Sequence, residues 1–291
     1  MLIALTADLH WGVRDAGDAA TLQLIEHLKE QPADLLILAG DIGAGGDFER
    51  CLEQFAEVPG QKALIPGNHD IWVEADDIRG DSWHVYDEHL PKLSQQFGFH
   101  YLDHGPLMLP DNDLAIVGSM NWYDYSWGEE VGWEPPPDWE ERLRDKRFTR
   151  GRHNDGRFVR WHFTDQSFTS RVVSVLRRQL EKTLPIVKQA IVVMHHPAFI
   201  GLNFPEIGPP SLDRMLWRAF SGNRSMEELL AGHSDQIPFV FCGHTHRARE
   251  NRLGSIRGIN IGGDYDWKRL VRMEWPACQL EVREFRSESL V

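Results

Sequence analysis

Five short, continuously apolar segments restrict the fold of this 291-residue chain more than any other sequence feature. Apolar runs of this length that do not alternate with polar residues are typical of strands buried on both faces of a sheet. They span residues 2–5, 35–38, 63–65, 191–194 and 239–242. Between several of them, apolar residues recur at helical spacing, as in Phe48, Cys51, Leu52 and Phe55. Strands that alternate with helices predict an α/β fold.

Polar groups follow each apolar run directly. The chain continues after the five runs as Asp8-Leu9-His10, Gly40-Asp41, Gly67-Asn68-His69-Asp70, His195-His196-Pro197 and Gly243-His244-Thr245-His246. In open α/β sheets, ligands bind at the carboxyl ends of the strands. We therefore expect carboxylates, an amide and imidazoles to converge at one edge of the fold.

The converging groups offer oxygen and nitrogen donors, which suit hard or borderline first-row dications. The candidate ligands are Asp8, His10, Asp41, Asn68, His195, His244 and His246. Seven ligands suffice for two metal ions if one carboxylate bridges them. Two dications about 3.5–4 Å apart can hold a hydroxide between them and clamp a phosphoryl group for in-line attack. The donor set therefore predicts metal-dependent phosphoryl chemistry.

In order and rough spacing, these blocks resemble the five signature blocks of the calcineurin-like metallophosphoesterases, and they extend from residue 8 to residue 246. The resemblance implies a four-layer α-β-β-α sandwich of two mixed sheets, with a binuclear metal site at the carboxyl edge of the strands. It also implies that later strands form the second sheet. The candidates for those strands are residues 115–118, 256–261, 270–274 and 279–285.

The family pattern, carried over by position, also implies a role for each residue. The first metal ion would be held by Asp8, His10, Asp41 and His246. The second would be held by the bridging Asp41 together with Asn68, His195 and His244. A metal-bridging hydroxide would attack phosphorus, and His69 would protonate the leaving oxygen or stabilise its charge. Mn²⁺ is the expected metal, with Fe or Zn²⁺ as alternatives, because mixed nitrogen and oxygen sites discriminate weakly.

We make separate predictions for two residues that lie next to these candidates in the sequence. His196 follows the candidate ligand His195 and is expected to form a wall of the site rather than to bind metal. Asp70 is expected to be a solvated turn carboxylate, with a role in orienting His69 as the alternative.

The second block departs from that of the protein Ser/Thr phosphatases in the same superfamily. Their block continues as Gly-Asp-x-Val-Asp-Arg-Gly, whereas this chain reads Gly40-Asp41-Ile42-Gly43-Ala44-Gly45-Gly46. The second Asp, which partners the catalytic His there, and the phosphate-binding Arg are both missing. The departure disfavours a protein phosphatase and favours hydrolysis of small phosphomonoesters, phosphodiesters or nucleotides.

We expect one domain, residues 1–291, with a cap-like insertion at about residues 119–167. Within it, residues 121–141 hold seven acids, four tryptophans and no Lys or Arg, whereas residues 142–160 hold eight bases and two acids. One interpretation is a cap whose arginines bind phosphate and whose aromatic rings stack on a substrate ring. The other, which we favour for most of these residues, is a self-paired subdomain with the tryptophans as its own core. We expect substrate specificity here or in the loops at 71–80 and 200–210.

The net charge of −13 bears on the partners of the chain. It disfavours a general nucleic-acid surface, because an acidic protein repels a phosphate backbone over long range. A small phosphate ester or nucleotide is therefore the expected substrate, and nucleic acid is less favoured. Two alternative functions stay open: a nuclease of the same superfamily, and a protein-binding scaffold that has lost catalysis.

The chain is expected to be cytoplasmic and not to associate with a membrane. No apolar stretch approaches the roughly 18 residues of a membrane helix. The first residues lack the basic flank of a signal peptide. Three cysteines without a Cys-x-x-Cys pair fit a reducing compartment. Substrate-binding residues and the oligomeric state are not predicted.

Overall fold

The computed structural model describes residues 1–205 and 208–287. Their strands are β1 (Leu2–Thr6), β2 (Leu35–Ala39), β3 (Gln61–Ile65), β4 (Phe99–Tyr101), β5 (Leu107–Leu109), β6 (Leu114–Ser119), β7 (Gln189–Met194), β8 (Phe239–Cys242), β9 (Arg249–Leu253), β10 (Ile256–Asn260), β11 (Trp267–Glu274) and β12 (Gln279–Arg286). Their helices are α1 (Asp15–Glu30), α2 (Asp47–Gln54), α3 (Ser82–His84), α4 (Leu90–Gln96), α5 (Trp139–Asp145), α6 (Asp155–Phe158), α7 (Asp165–Thr183), α8 (Leu212–Ala219) and α9 (Arg224–Ala231). A π-helical stretch, Val85–His89, joins α3 to α4. Short 3₁₀ helices span His69–Ile71, Leu102–His104, Pro110–Asn112, Ser126–Gly128 and Ile200–Leu202.

These strands form two six-stranded mixed sheets. Their orders are β12-β11-β1-β2-β3-β4 and β5-β6-β7-β8-β10-β9. Strands β1 to β4 run parallel in the first sheet, and β6, β7, β8 and β10 run parallel in the second. The apolar runs at 2–5, 35–38 and 63–65 thus lie in the first sheet, and those at 191–194 and 239–242 lie in the second.

Two segments expected in the second sheet lie instead in the first. Residues 270–274 belong to β11, which pairs antiparallel with β1 and sets Val271 opposite Leu5. Residues 279–285 belong to β12, which pairs with β11. The expectation was wrong because β2 pairs with only one edge of β1. The other edge presents open backbone donors and acceptors, and a late hairpin satisfies them. The segments at 115–118 and 256–261 do contribute β6 and β10 to the second sheet.

Side chains alternate between the two faces of each sheet and so create three cores. In β1, Ile3 and Leu5 enter the core between the sheets, whereas Ala4 packs in the outer core with α1 and α2. In β7, Val193 enters the inner core and Val192 packs on the opposite face with α7 and α9. Two stacked sheets covered by helices on both outer faces form the predicted four-layer α-β-β-α sandwich, which is confirmed.

Residues 119–167 leave the second sheet after β6 and return to it through α7. The side chains of Trp122, Tyr123 and Trp127 are almost completely buried. Trp122 packs edge-on against Phe168 of α7, and Tyr123 packs edge-on against Phe220. The aromatic residues of this segment are therefore mainly core residues.

None of the helices within residues 1–205 and 208–287 combines the length and the apolar character of a membrane-spanning helix.

The pairing register sets the carboxyl ends of the strands side by side. Thr6 pairs with Leu38 in the first sheet, and Ala39 pairs with Ile65. In the second sheet, Val193 of β7 pairs with Phe241 of β8. The loops that follow β1, β2, β3, β7 and β8 therefore start next to one another.

Candidate metal centre

The loops after the five strand ends bring the seven candidate ligands together in two adjacent groups. The first group, whose donor atoms all lie within 4.8 Å of one another, consists of Asp8, His10, Asp41 and His246. The second group contains His195 and His244, together with His196. Asn68 joins the second group, since its Oδ1 lies 3.1 Å from His195 Nε2 and 3.2 Å from His244 Nδ1. The structure therefore assembles every side chain of the predicted ligand set.

Asp41 lies between the two groups. Its Oδ2 is 3.6 Å from His10 Nε2, and its Oδ1 is 3.3 Å from His195 Nε2. One buried carboxylate thus directs an oxygen atom at each group, which is the arrangement that a bridging ligand requires.

Electrostatics favour a cation among these side chains. Burial would raise the pKa of Asp41, but the facing imidazoles of His195, His69 and His10 hold it well below its usual range. Burial would lower the pKa of His195, but the Asp41 and Asp8 carboxylates raise it to about 9. A positive charge is therefore stabilised between Asp41 and His195.

The donor atoms fit a pair of dications. Buried Asp8 Oδ2 has no hydrogen-bond donor within residues 1–205 and 208–287. A carboxylate oxygen buried without a partner costs free energy unless a cation compensates it. His10 Nε2 and His246 Nε2 lie 2.9 Å apart, so two imidazole nitrogens face the same small volume. Carboxylate, amide and imidazole donors without thiolates suit first-row dications.

Five of the seven candidate ligands have a left-handed backbone. Their φ angles are 56° for Asp8, 46° for His10, 51° for Asp41, 72° for His244 and 55° for His246. Positive φ is uncommon outside glycine, and such conformations cluster at functional sites. Backbone hydrogen bonds between loops help to hold these turns, including one from Asp8 N to Gly40 O at 3.1 Å.

Two glycines allow the loops to approach each other. Gly40 has φ +86°, and a Cβ at this position would lie 2.4 Å from His195 Nδ1. A Cβ at Gly67 would lie 2.2 Å from Asp41 Oδ1. Both distances are far shorter than van der Waals contact. The two glycines are therefore required because a ligand side chain occupies the space, and not only because the chain turns there.

His69 borders both groups and belongs to neither. Its imidazole stacks on the indole of Trp72, with ring centroids 3.6 Å apart and planes inclined by 26°. Its Nε2 lies 3.8 Å from Asp41 Oδ2, and its backbone N–H donates to Asp41 Oδ1 at 2.9 Å. Burial lowers the pKa of His69, and Asp41 partly opposes that shift. The ring is thus held rigidly beside the bridging carboxylate.

Asp70 is buried, so the expectation of a solvated turn carboxylate was wrong. Its Oδ1 accepts hydrogen bonds from the backbone N–H groups of Ile42 and Gly43, both at 2.8 Å. Its Oδ2 accepts from Gly67 N at 2.7 Å. Burial raises its pKa to about 7, against these hydrogen bonds. Asp70 fastens the loop that carries Asp41 to the loop that carries Asn68, because both loops present buried amide groups that need an acceptor.

His196 packs against the second group. Its ring lies 4.1 Å from that of His244, at 34° between planes, and edge-on to Trp122. Burial lowers its pKa to about 3, so the ring is neutral. Its Nδ1 lies 3.3 Å from Met120 O, and its Nε2 has no partner among the described residues.

Asp155, in α6, is a functional candidate that the sequence did not reveal. Its buried Oδ1 accepts hydrogen bonds from Asn68 Nδ2 at 2.9 Å and from Trp72 Nε1 at 2.8 Å. Its Oδ2 accepts from the Tyr123 hydroxyl at 3.0 Å. Because the Asn68 amide nitrogen is engaged by Asp155, the amide oxygen faces His195 and His244. Asp155 is one acid in a basic segment without a motif, so no sequence signal marks it.

Lys268 of β11 is a second such residue. Its side chain is completely buried, and its Nζ donates to the backbone carbonyl of Asp8 at 3.1 Å and to that of Asp264 at 2.8 Å. Burial lowers its pKa to about 8, although neighbouring carboxylates oppose the shift. Lys268 therefore stabilises the left-handed turn at Asp8 through this hydrogen bond to its carbonyl group.

A cavity of about 800 Å³ opens onto the two groups. Its wall includes Asp41, Asn68, His69, His244 and His246. Trp72, from the loop at 71–80, and Phe204 and Pro205, from the loop at 200–210, also line it. Residues 206 and 207 of the second loop lie outside the described residues. A cavity of this size can enclose a ligand as large as a typical cofactor or drug.

Comparisons with known proteins agree with this architecture. Phosphopantetheinyl hydrolase from Mycobacterium tuberculosis has a similar structure, with a TM-score of 0.68 at 18% sequence identity over 91% of this chain and 89% of that one. A dimetal phosphatase from Danio rerio gives a TM-score of 0.58 at 13% identity over 99% of both chains. At these identities the likeness shows the fold. Among curated proteins, no sequence matches the chain significantly.

Membership of a family rests on the sequence match. The model of the calcineurin-like phosphoesterases matches residues 1–248, which include all five blocks and both groups of candidate ligands. The chain therefore belongs to the calcineurin-like phosphoesterase family.

Proposed function

We propose that the chain is a two-metal phosphoesterase that hydrolyses a phosphomonoester or a phosphodiester. The observation that carries this proposal is the position of Asp41, which lines a large cavity and whose two oxygens face two groups of donors. The first metal ion would be held by Asp8, His10, Asp41 and His246. The second would be held by Asp41, Asn68, His195 and His244. We expect Mn²⁺ at both positions, with Fe or Zn²⁺ as alternatives.

A bound pair of dications lowers the pKa of a water molecule and supplies positive charge against the phosphoryl oxygens. The protein's own side chains position the other participants. Asp155 holds the Asn68 amide so that its oxygen faces the second group. Trp72 holds the His69 ring beside Asp41 and at the wall of the cavity. We assign to His69 the delivery of a proton to the leaving oxygen, or the stabilisation of negative charge there.

The substrate that we propose is a small phosphate ester or nucleotide. The net charge of −13 disfavours a polymer of phosphates, and the second block lacks the Asp and Arg of the protein Ser/Thr phosphatases. We also propose a cytoplasmic location, supported by the free thiols of Cys51, Cys242 and Cys278.

Metal analysis combined with a chromogenic assay tests the proposal. The purified protein, loaded with Mn²⁺, should bind two metal ions per chain and hydrolyse p-nitrophenyl phosphate or bis(p-nitrophenyl) phosphate. The variant Asp41→Asn should lose most of the bound metal and reduce hydrolysis to background, because one oxygen of the bridging carboxylate becomes an amide nitrogen. A wild-type protein that binds only trace metal and hydrolyses neither ester would contradict the proposal and favour a scaffold. Binding of DNA that weakens steeply with salt would favour the nuclease instead.

A further inference from the structure

Three arginines of the insertion line the cavity and have no acidic partner within residues 1–205 and 208–287. They are Arg150, Arg152 and Arg157. Their side chains are exposed, and none forms an ion pair or hydrogen bond with any residue in the ranges 1–205 and 208–287. Three guanidinium groups that pair with no carboxylate of those ranges favour the binding of an anion in this part of the cavity.

Basic residues of the same insertion that do not line the cavity are mostly paired. Arg142 forms an ion pair with Asp138, Arg144 with Asp145, Arg147 with Glu141, and Lys146 with Asp165. Arg160 has no such partner among the described residues. Within the described part of the chain, acids of the insertion thus pair with four of its bases away from the cavity and with none of the three that line it. A purely self-paired subdomain does not account for this distribution.

A flat aromatic surface adjoins the arginines. Phe148, two residues before Arg150, stacks on Trp217 of α8, with ring centroids 4.7 Å apart and planes inclined by 28°. Both rings line the cavity, and Trp217 keeps 43% of its surface exposed. An exposed indole in a cavity wall offers stacking area to a planar ring.

We infer that the substrate is a phosphate ester that carries a planar ring and a second phosphate group. The phosphate to be hydrolysed lies at the Asp41 end of the cavity, the ring packs on Trp217, and the second phosphate binds Arg150, Arg152 and Arg157. Guanidinium groups bind phosphate through paired, charge-assisted hydrogen bonds, so these arginines select for the second anion. The assignment rests on the proposed function, since it takes the Asp41 end as the place where water cleaves the ester to an alcohol and phosphate.

Two nucleotides that differ only in the second phosphate test this inference. Adenosine 3′,5′-bisphosphate and adenosine 5′-monophosphate serve as substrates for the Mn²⁺-loaded protein, and the ratio of their kcat/KM values is measured. We expect the wild type to favour the bisphosphate by at least about tenfold, which is the size of a charge-assisted hydrogen bond. The triple variant Arg150→Gln, Arg152→Gln and Arg157→Gln should bring that ratio close to one. The matched control Arg144→Gln with Arg147→Gln removes two arginines of the same insertion and should keep the wild-type ratio.

Calorimetric titration of the purified proteins with both nucleotides gives a second readout that does not depend on turnover. The triple variant should lose the preference for the bisphosphate in binding as it does in kcat/KM. If the triple variant unfolds, the three single variants replace it, each with an expected loss of at least about threefold in the ratio. A wild-type ratio near one, or an unchanged ratio in the triple variant, would overturn the inference. If the wild type hydrolyses no phosphate ester, the proposed function fails, whereas the titrations still decide whether the arginines bind a second phosphate.

Discussion

The buried carboxylate of Asp155 accepts a hydrogen bond from the side-chain amide of Asn68, 2.9 Å away and 87 positions earlier in the chain. The same oxygen accepts from Trp72 Nε1, and Trp72 stacks on His69. One carboxylate of the insertion therefore orients a candidate metal ligand and also supports the candidate leaving-group residue. The insertion that carries Arg150, Arg152 and Arg157 thus also helps to position the centre itself.

Asp155→Ala should weaken the second metal position while the first keeps its metal. The substitution removes both carboxylate oxygens, so the Asn68 amide nitrogen loses its acceptor and the Asn68 oxygen is no longer held in place. Loss of such an orienting partner reduces metal affinity by about 10–100-fold. Titration with Mn²⁺ should show one tight and one weakened site. The control is Asp165→Ala, which removes another buried carboxylate of the insertion, the acceptor of Trp122 Nε1, and it should retain two tight sites. Two unchanged sites in the Asp155 variant would exclude a positioning role.

Gly40→Ala should displace His195. The new methyl group would lie 2.4 Å from His195 Nδ1, and φ at this position is +86°. The matched control is Gly45→Ala, where φ is +60° but no atom lies within 4 Å of the added carbon. The control measures backbone strain alone, which costs about 1 kcal/mol. Urea unfolding should show a clearly larger loss for Gly40→Ala, accompanied by a loss of bound metal that the control lacks. Equal losses of free energy of unfolding and of bound metal in both variants would mean that the contact with His195 affects neither quantity.

His69→Gln should keep both metal ions and slow turnover. Its side chain lies outside the two donor groups, so metal content should match the wild type. Loss of general acid catalysis lowers rates by about 10²–10⁴-fold, and the loss is greatest for leaving groups that need a proton. The comparison is between p-nitrophenyl phosphate and an unactivated alkyl phosphate, and the deficit should be larger for the alkyl ester. Wild-type turnover of the alkyl ester by this variant would refute the role of His69.

Asp103 should make the free energy of unfolding depend on pH. Burial raises the pKa of its carboxyl group to about 6, although Met120 N and the Tyr86 hydroxyl donate hydrogen bonds to it. The folded protein therefore binds this proton more tightly than the unfolded chain does. The resulting stabilisation is complete below the unfolded pKa of about 3.9, and it is lost as the pH rises through about 6.

Asp103→Asn removes this titration and keeps an acceptor for Tyr86. Relative to the wild type, the variant should gain about 2 kcal/mol in free energy of unfolding between pH 4 and pH 7. Urea unfolding at several pH values measures the difference. The exposed Asp111→Asn serves as the control and should show no such trend. A difference between Asp103→Asn and the wild type that does not change with pH would contradict this assignment.

The strand ends and the donor set could be predicted because their signals are local in the chain. Each apolar run and the polar block after it lie within about ten residues, so neither depends on distant contacts. The placement of β11 and β12 depended instead on which edge of β1 was open, and no local pattern reports that. Asp is a common residue in solvated turns, and only the packing of two loops shows that Asp70 is buried.

The insertion could likewise be predicted only as far as its local composition allows. Composition distinguished an acidic, tryptophan-rich half from a basic half. The tryptophans were expected to form the insertion's own core; Trp122 and Trp127 are buried, but Trp122 packs against Phe168 of α7, outside the insertion. Composition did not show which arginines face carboxylates, because pairing is decided by the tertiary arrangement. Arg147 meets Glu141, whereas Arg150, only three residues later, lines the cavity.

At the left-handed turns of the candidate ligands, the stability of the fold competes with the need for a donor side chain. Glycine at Asp8, His10, Asp41, His244 or His246 would relax the backbone by about 1 kcal/mol and at the same time delete a donor. Asp8 and Asp41 also accept backbone hydrogen bonds from His244 N and His69 N, so glycine there would leave amide donors unpaired. Laboratory evolution that rewards heat resistance alone should therefore accumulate glycines at the three histidine turns and spare the two aspartates. The selected variants would unfold at a higher temperature than the parent and would have no activity.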